Sequence, residues 1–378
     1  MANNNNKDKC NVPHLRFPEF SGEWKETTLG KIAEITKGSG ISKDQLSEQG
    51  SPCILYGELY TKYKSEIINE VYSRTELDSS PLVKSKANDV IIPCSGETAI
   101  DISTARCVLF NNILLGGDLN IIRLKYDDGG FFAYQLNGAR KKDIARVAQG
   151  VSVVHLYGEN LKQIRVYYPN IEEQRKITHL LSLIDGRIAA QNKIIDKLKS
   201  LIKGLAVALT TKGKPNTAIS QCLECHSSAL QESEVIPNGL YKVFGANGLV
   251  GYTDVPQMNG DAILVIKDGS GVGTVSYAQG KFSVIGTLNY LTVIGNNNLR
   301  YLYFALSVFN FQPYKTGMAI PHIYFKDYGK AKIYFPPITE QKRVANVLDK
   351  LENKLLLEQG ILASFNWQKR YLLGQMFI

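Results

Sequence analysis

The sequence predicts an α+β protein in which two domains, each with a twisted and mostly antiparallel sheet plus helices, are each followed by a long α-helix. Three observations support this class. A heptad pattern of apolar residues follows the first domain, the same pattern returns 167 residues later, and the segments before the two patterns resemble each other. Helices with matching seams are expected to pair as an antiparallel coiled coil.

The first long helix is predicted from aliphatic residues that recur at alternating spacings of four and three. Its seam comprises Ile177, Leu181, Ile184, Ile188, Gln191, Ile195, Leu198, Ile202, Leu205 and Leu209. A helix of about 38 residues is about 57 Å long. Such a helix cannot bury its own apolar stripe, so it requires a partner of similar length.

The second half of the chain supplies that partner. The corresponding seam comprises Val344, Leu348, Leu351, Leu355, Glu358, Leu362, Phe365, Lys369, Leu372 and Met376. The chain between the helices is long enough for either direction, but a pseudo-twofold relation of two alike domains favours antiparallel pairing. Centred antiparallel pairing would bring Gln191 and Glu358 together, and a polar seam pair can define the register.

The expected organisation has five segments: a disordered N-terminus at 1–14, a first domain at 15–170, a long helix at 171–212, a second domain at 213–337 and a second long helix at 338–378. In the first domain, strands are predicted near residues 90–94, 106–110, 120–124 and 163–169, and one helix over 131–149. Matching strands are predicted in the second domain near 241–244, 261–266, 281–285 and 290–294, with a helix over 299–309.

The repeat is most similar just before each long helix. Residues 150–155 (Gly-Val-Ser-Val-Val-His) match 317–322 (Gly-Met-Ala-Ile-Pro-His), and residues 173–176 (Glu-Gln-Arg-Lys) match 340–343 (Glu-Gln-Lys-Arg). Asn170 followed by Glu173 predicts an N-cap with an acidic residue three positions later, which is a capping-box arrangement. Two copies of one domain plan, each leading into a helix, follow from this similarity.

Composition limits the function classes. The chain has 378 residues and 44% hydrophobic residues, as a globular protein does. Its formal net charge of +9 suits a polyanionic partner, but the two globular parts are nearly neutral, so charge alone does not indicate nucleic acid. No run of about 18 apolar residues predicts a membrane span, and no apolar core predicts a signal peptide, so a cytoplasmic location is expected. The six scattered cysteines are expected to be free thiols.

Four motifs suggest catalysis or cofactor binding, and each has a simpler interpretation. Cys222 and Cys225, followed by His226, match a haem-attachment or zinc pattern, but they align with Ile32 and Ile35 and are interpreted as packing residues. The repeated His155 and His322 lack a repeated Ser or Cys nucleophile beside them, so a structural role is favoured over catalysis.

The other two motifs are a glycine-rich turn and a pair of incomplete catalytic signatures. The turn at 268–273, which contains Ser270, lacks the Lys-Ser/Thr end of a phosphate-binding loop. It is interpreted as a turn that brings backbone close to a partner such as a phosphate backbone. Residues 335–338 and 340–342 only partly match methyltransferase and nuclease motifs. No metal site is predicted.

Basic residues with nearby aromatics occur in both domains and are candidates for positioning phosphates or reading base edges. In the first domain the candidates are Lys37, Lys43, Lys62, Tyr63, Lys64, Arg74, Arg106, Arg140, Lys141, Lys142 and Arg146. In the second domain they are Lys242, Lys267, Ser270, Tyr277, Lys281, Arg300, Lys315 and Lys326. For any single residue, an ordinary solvated surface is the alternative.

Taken together, these features resemble the specificity subunit of a type I restriction–modification system. The resemblance rests on Leu-Arg-Phe-Pro-Glu-Phe-x-Gly-x-Trp at 15–24, on Leu-Gly-Lys-Ile-Ala at 29–33, and on the doubled Pro-x-x-x-Glu-Gln-x-x-Ile/Val at 169–177 and 336–344. Together with the two heptad helices, it covers nearly the whole chain.

The resemblance implies a non-catalytic subunit whose two domains are target recognition domains, each reading one half of an interrupted, asymmetric site in double-stranded DNA. It implies two methyltransferase subunits and two restriction subunits as partners. S-adenosylmethionine, ATP and Mg²⁺ are then expected on those partners, with no cofactor in this chain. Half-sites one helical turn apart, about 34 Å, fit within helices of this length.

Two alternatives remain from the residues alone. A stand-alone DNA-modifying enzyme would need a cofactor loop or an acidic metal cluster, neither of which is evident. A coiled-coil adaptor with no DNA role would also explain the heptad seams, and the basic residues would then be ordinary surface residues.

Overall fold

A computed structural model describes residues 11–378; the predicted disorder at 1–14 therefore falls largely outside the described residues. The described chain divides into two compact units. Unit 1 contains the residues up to Gln191 and Ile361–Ile378, and unit 2 is Asn192–Gly360. Each unit thus contains one sheet-rich domain and one half of each long helix.

The strands of unit 1 are short and run in the order β1 Lys25–Thr28, β2 Ala33–Lys37, β3 Leu46–Ser47, β4 Ser51–Ile54, β5 Ile67–Ile68, β6 Ser73–Thr75, β7 Asp89–Pro93, β8 Ser95–Gly96, β9 Arg106–Val108, β10 Leu114–Leu115, β11 Leu119–Leu124, β12 Val154–His155 and β13 Arg165–Tyr168. Its domain helices are α1 Leu29–Ile32, α2 Glu58–Thr61, α3 Ala99–Ile102, α4 Gly129–Asn137, α5 Lys141–Val147 and α6 Gly158–Lys162. A five-stranded sheet, β2-β11-β7-β9-β5, and a four-stranded sheet, β10-β4-β6-β3, form its body.

The single helix predicted over 131–149 is wrong, because the structure has two helices there. Helix α4 ends before Gly138, whose N–H donates to the Tyr134 carbonyl at 2.9 Å. Helix α5 then begins at Lys141. Glycine is a common residue just beyond a helix end, so the break has a local cause that the basic residues obscured.

Unit 2 is built on a similar central arrangement. Its strands are β14 Thr217–Ala218, β15 Leu223–Ser227, β16 Tyr241–Gly245, β17 Gly248–Thr253, β18 Met258–Asn259, β19 Ala262–Ile266, β20 Val275–Ala278, β21 Lys281–Val284, β22 Leu288–Val293 and β23 Lys332–Ile333. Its domain helices are α8 Ile219–Cys222, α9 Leu299–Ser307 and α10 Phe325–Tyr328. The sheets are β15-β22-β19-β20 and β17-β16-β21-β18.

The central three strands correspond between the units. Strand order β2-β11-β7 in unit 1 matches β15-β22-β19 in unit 2, with antiparallel pairing throughout. The remaining sheet strands differ in number and order, because β9 and β5 extend the first sheet whereas only β20 extends the second. The two domains therefore share a frame and differ in what is built on it.

The long helices are α7, Ile171–Thr210, and α11, Ile338–Gln375. In unit 1, Ile177 and Leu181 of α7 share a core with Met376 beyond the end of α11. In unit 2, Ala206 near the end of α7 shares a core with Leu348 near the start of α11. Each unit therefore pairs the helices in opposite directions, which confirms the predicted antiparallel arrangement.

The seam positions account for the packing of these helices. Every predicted seam residue is buried or half-buried, and Leu181 and Leu348 are fully inaccessible. The polar seam residues Gln191 and Glu358 are also buried, at 7% and 6% exposure. An amphipathic stripe of this kind stabilises a long helix by removing its apolar side chains from water.

None of the helices in the part of the chain that the structure describes is long and apolar enough to cross a membrane. The five described cysteines are free thiols. Burial raises the pKa of the thiols of Cys53, Cys94, Cys222 and Cys225 to about 11, so these groups are protonated at neutral pH.

Candidate nucleic-acid interface

The start of each long helix is held by the same hydrogen bonds. Gln174 accepts from the Asp128 amide at 2.9 Å and donates to the Pro169 carbonyl at 2.9 Å. In unit 2, Gln341 accepts from the Asn298 amide at 3.0 Å and donates to the Pro336 carbonyl at 2.9 Å. Both glutamines are buried, so each domain is joined to its long helix by an equivalent polar contact.

The two residues whose backbone amides donate to these glutamines are themselves equivalent helix caps. Asp128 accepts from the Phe131 amide at 2.8 Å, and Asn298 accepts from the Tyr301 amide at 2.8 Å. Asn170 likewise caps α7 by accepting from the Glu173 amide at 2.9 Å, as predicted. The Glu173 side chain does not complete a capping box; its two oxygens accept from Arg16 at 2.7 Å each.

The candidate contact residues divide by exposure into three sets. The exposed set is Lys37, Lys43, Lys62, Lys64, Arg74, Lys142, Arg146, Lys242, Ser270, Lys281 and Lys326. The half-buried set is Arg140, Lys141, Lys267, Tyr277, Arg300 and Lys315. The buried set is Tyr63 and Arg106.

The buried pair has a structural position, so the interpretation of Tyr63 and Arg106 as DNA contacts is corrected. Arg106 donates to the carbonyls of Tyr63 at 2.9 Å and Ala105 at 3.1 Å. Burial lowers the pKa of the Arg106 guanidinium, which the nearby acidic residues Glu66 and Asp185 partly offset. The Arg106 guanidinium is therefore held by backbone carbonyls inside the unit and is not presented at the surface.

One cleft of about 1200 Å³ in unit 1 brings together two of the exposed candidates, Lys43 and Lys62. Tyr56 and Tyr60, which were not predicted, line the same cleft. Lys62 contacts Glu58 at 2.6 Å, so part of its charge is balanced within the cleft. Lys43 is exposed and remains available to a phosphate.

A second cleft of about 700 Å³, in unit 2, brings together four of the predicted residues: Lys242, Tyr277, Lys281 and Arg300. Arg300 is committed to the protein, because its Nε contacts Asp349 at 2.6 Å and it also pairs with Glu352. Its guanidinium lies 4.3 Å from the centre of the Tyr277 ring. The exposed lysines are therefore the side chains of this cleft that are placed to meet an anion.

Two loops whose residues were not predicted as contacts match each other closely at the surface. We name residues 149–155 finger 1 and residues 316–322 finger 2. In finger 1, the backbones of Gln149 and His155 exchange hydrogen bonds of 2.9 and 2.7 Å. In finger 2, Thr316 and His322 exchange hydrogen bonds of the same two lengths. The repeated histidines thus close two equivalent hairpin loops.

Each histidine lies against a tyrosine ring beside its finger. His155 stacks on Tyr157 and His322 stacks on Tyr324, with ring centroids 6.2 and 6.5 Å apart. His322 Nδ1 also lies 2.6 Å from Asp268, the first residue of the glycine-rich turn. Gly269 donates to the Pro321 carbonyl at 3.0 Å, so this turn supports finger 2.

The Cys-x-x-Cys-His segment follows the repeat. Cys222 ends α8 as Ile32 ends α1, and Cys225 lies in β15 opposite Leu291, as Ile35 lies opposite Ile122. Cys222 is 1% exposed within the core of unit 2. No group of three or more metal-binding side chains occurs among residues 11–378. The packing interpretation of this motif is supported.

Comparison with known proteins identifies the family. The family model described as "Type I restriction modification DNA specificity domain" matches residues 21–200 and 224–365. The type I restriction enzyme EcoprrI specificity subunit of Escherichia coli is 26% identical over 113 residues, which are 30% of this chain and 28% of that subunit. A putative type I specificity subunit of Mycoplasma pneumoniae is 22% identical over 70% of this chain and 71% of its own length.

Solved structures share the fold. The type I restriction–modification S subunit of M. genitalium superposes with a TM-score of 0.70 at 18% identity, covering 97% of this chain and 99% of that one. A chain from work on complex assembly and conformational transition of the type I R-M system gives 0.55 at 14% identity, covering 97% and 99%. Since the family model matches more than half of the sequence, in two copies that coincide with the two domains and helices described above, the chain belongs to the type I restriction–modification DNA specificity family.

Proposed function

We propose that this chain reads a bipartite, asymmetric site in double-stranded DNA, with one half of the site read by the domain of unit 1 and the other by the domain of unit 2. The observation that carries the proposal is the duplicated frame. Both domains share the central strand order and the glutamine contact to a long helix, whereas their outer strands differ. Two domains that share a central sheet and a helix contact but differ in their outer strands are suited to recognising different base sequences.

The long helices support the scaffolding part of the proposal. Helix α7 has 40 residues and is about 60 Å long, which exceeds the 34 Å repeat of one DNA turn. It is unbroken from Ile171 to Thr210, so it does not bend at a proline or a loop. We assign the two helices the role of holding two methyltransferase subunits and two restriction subunits in the complete enzyme.

In this proposal the chain itself performs no chemistry. S-adenosylmethionine would be bound by the methyltransferase subunits, and ATP and Mg²⁺ by the restriction subunits. The task of this chain is to bring those subunits to a defined sequence. Its clefts contain lysines and tyrosines, which position phosphates and base edges through hydrogen bonds and charge.

The experiment is a map of methylated adenines in cells that express the methyltransferase partners with and without this chain. The expected result is methylation at one interrupted, asymmetric motif that disappears when the chain is removed. Methylation that is unchanged without the chain, or that lacks a second half-site, would refute the proposal. Incubating the purified chain alone with labelled methyl donor and DNA is the control for an enzyme, and no label transfer is expected.

A further inference from the structure

Fingers 1 and 2 present apolar side chains to solvent at equivalent positions. Val151 and Val153 are 96% and 52% exposed, and Met318 and Ile320 are 106% and 58% exposed. Val151 and Met318 therefore make almost no contact with their own chain, whereas Val153 and Ile320 are partly covered, so the apolar tips contribute little to the stability of the unit. Because the two loops match and both expose apolar side chains at their tips, we expect both to bind the same kind of partner.

The geometry of the fingers keeps the tips outward. Gly150 and Gly317 have positive φ angles of 115° and 89°. A Cβ at Gly150 would lie 2.1 Å from the Val153 carbonyl oxygen, and one at Gly317 would lie 2.3 Å from that of Ile320. Each glycine therefore permits a tight loop that a larger residue would open.

Charge around finger 2 indicates which partner it meets. Lys315 lies immediately before the finger, and Lys326 lies 5.3 Å from the Tyr324 ring that stacks on His322. Finger 1 follows Arg146, whose side chain is 76% exposed and contacts Asp143 at 3.1 Å, so part of its charge is balanced. Apolar tips flanked by cations match duplex DNA, where cations contact phosphates while apolar side chains enter the minor groove and wedge between base steps.

The duplication indicates what kind of contact this is. The outer strands of the two domains differ, as readers of different sequences should, but the fingers coincide in backbone hydrogen bonds, glycine position and histidine stacking. A feature retained in both units serves something that the two half-sites have in common, namely the duplex itself.

We infer that fingers 1 and 2 are DNA-contacting wedges that supply affinity independent of base sequence, while discrimination lies elsewhere in each domain. This inference rests on the proposed function and adds a division of labour to it. It assigns Met318 and Ile320 in unit 2, and Val151 and Val153 in unit 1, to the shared part of the binding energy.

The test uses the complex of this chain with its methyltransferase subunits and two duplexes, one carrying the motif found by methylation mapping and one with that motif scrambled. The double variant M318S/I320S is compared with V255S, which alters a residue of the same unit that is 76% exposed. The finger variant should weaken binding to both duplexes by the same factor, about tenfold, and leave their ratio unchanged. V255S should bind as wild type.

The substituted side chains are exposed, so thermal unfolding and co-purification of the methyltransferase subunits should not change. V151S/V153S provides an independent repeat of the test in unit 1. Unchanged affinity would overturn the inference, and so would weakening confined to the motif duplex, which would make the fingers base readers. Loss of the methyltransferase subunits with DNA affinity retained would overturn it in favour of a protein partner.

Failure of the proposed function has a different signature. A wild-type complex that bound the motif and scrambled duplexes equally would contradict sequence reading. The wedge inference would still be decided in that case, by whether M318S/I320S lowers the common affinity.

Discussion

Lys369→Met should destabilise unit 1 strongly, because Lys369 joins three parts of that unit. Its Nζ lies 2.5 Å from Glu66 in the domain and 2.6 Å from Asp185 on α7. The three side chains are only 14%, 10% and 8% exposed. Asp185 also accepts from Tyr134 at 2.7 Å and from Ser65 at 2.9 Å. The substitution leaves two buried carboxylates without their shared cation.

Removing one partner of a buried ion pair costs about 3–5 kcal/mol. Arg106 is near enough to interact with both carboxylates, so we expect the lower end of that range. A loss of about 3 kcal/mol is a more than hundredfold change in the folding equilibrium. For a unit of this size it lowers the melting temperature by about 6–12 °C.

The assay is thermal and urea unfolding of the full chain, with Arg370→Met as the matched control. Arg370 is the next residue of α11 and is exposed, so its replacement should shift the melting temperature by less than about 2 °C. Adding Glu66→Gln to Lys369→Met should recover part of the loss, because one uncompensated carboxylate is removed. A Lys369→Met shift no larger than that of the control would refute the reasoning.

Two further predictions concern DNA affinity and thiol chemistry. The double variant Lys242→Ala/Lys281→Ala should weaken DNA binding, because both exposed lysines line the unit 2 cleft. Titration at several salt concentrations should show that the slope of log affinity against log salt falls in magnitude by about 2, and an unchanged slope would mean that these lysines do not contact DNA. In a Cys10→Ser background the native thiols should react slowly with a disulfide reagent at pH 8, because burial raises the pKa of Cys53, Cys94, Cys222 and Cys225 to about 11; rapid labelling of the folded chain at pH 8 would contradict this. These folded pKa values lie above the unfolded ones, so the contribution of the thiols to stability is present below about pH 8.5 and declines as the pH rises toward 11.

The long helices were predictable because their signal is periodic and extended. Helix α7 was expected over 171–212 and lies at Ile171–Thr210, and α11 was expected over 338–378 and lies at Ile338–Gln375. A seam repeated over many turns averages out the uncertainty of any single residue. The strands were located for the same reason on a shorter scale, since runs of β-branched residues alternate with turn residues.

The individual site residues were less predictable, because a basic residue looks the same in the sequence whether it meets water, an acid or DNA. Arg106 is buried in the core, and Arg300 is neutralised by Asp349 and Glu352, partners about 50 residues away. Only the tertiary fold brings such partners together. Asp185 and Glu352 occupy corresponding positions in the repeat, but their cations come from different elements. Glu352 pairs with Arg300 of the domain, whereas Asp185 pairs with a lysine of α11.

The fingers were visible in the sequence only as a repeated segment. Their matching glycine and histidine positions were identified, but the exposure of Val151 and Met318 depends on the loop geometry. Apolar residues in a sequence suggest a core, so exposed apolar tips are assigned wrongly unless the structure is known. The only signal in the sequence was that the two finger segments resemble each other more closely than the segments around them do.

Photo-crosslinking of the assembled complex to its motif duplex tests the central claim, that two units read separate halves of one site. One crosslinker replaces Lys43 in the cleft of unit 1 and another replaces Lys281 in the cleft of unit 2. The account predicts that the two probes label bases in different halves of the motif, with an unlabelled interval between them. Labelling of the same bases by both probes, or of no DNA by either, would contradict it.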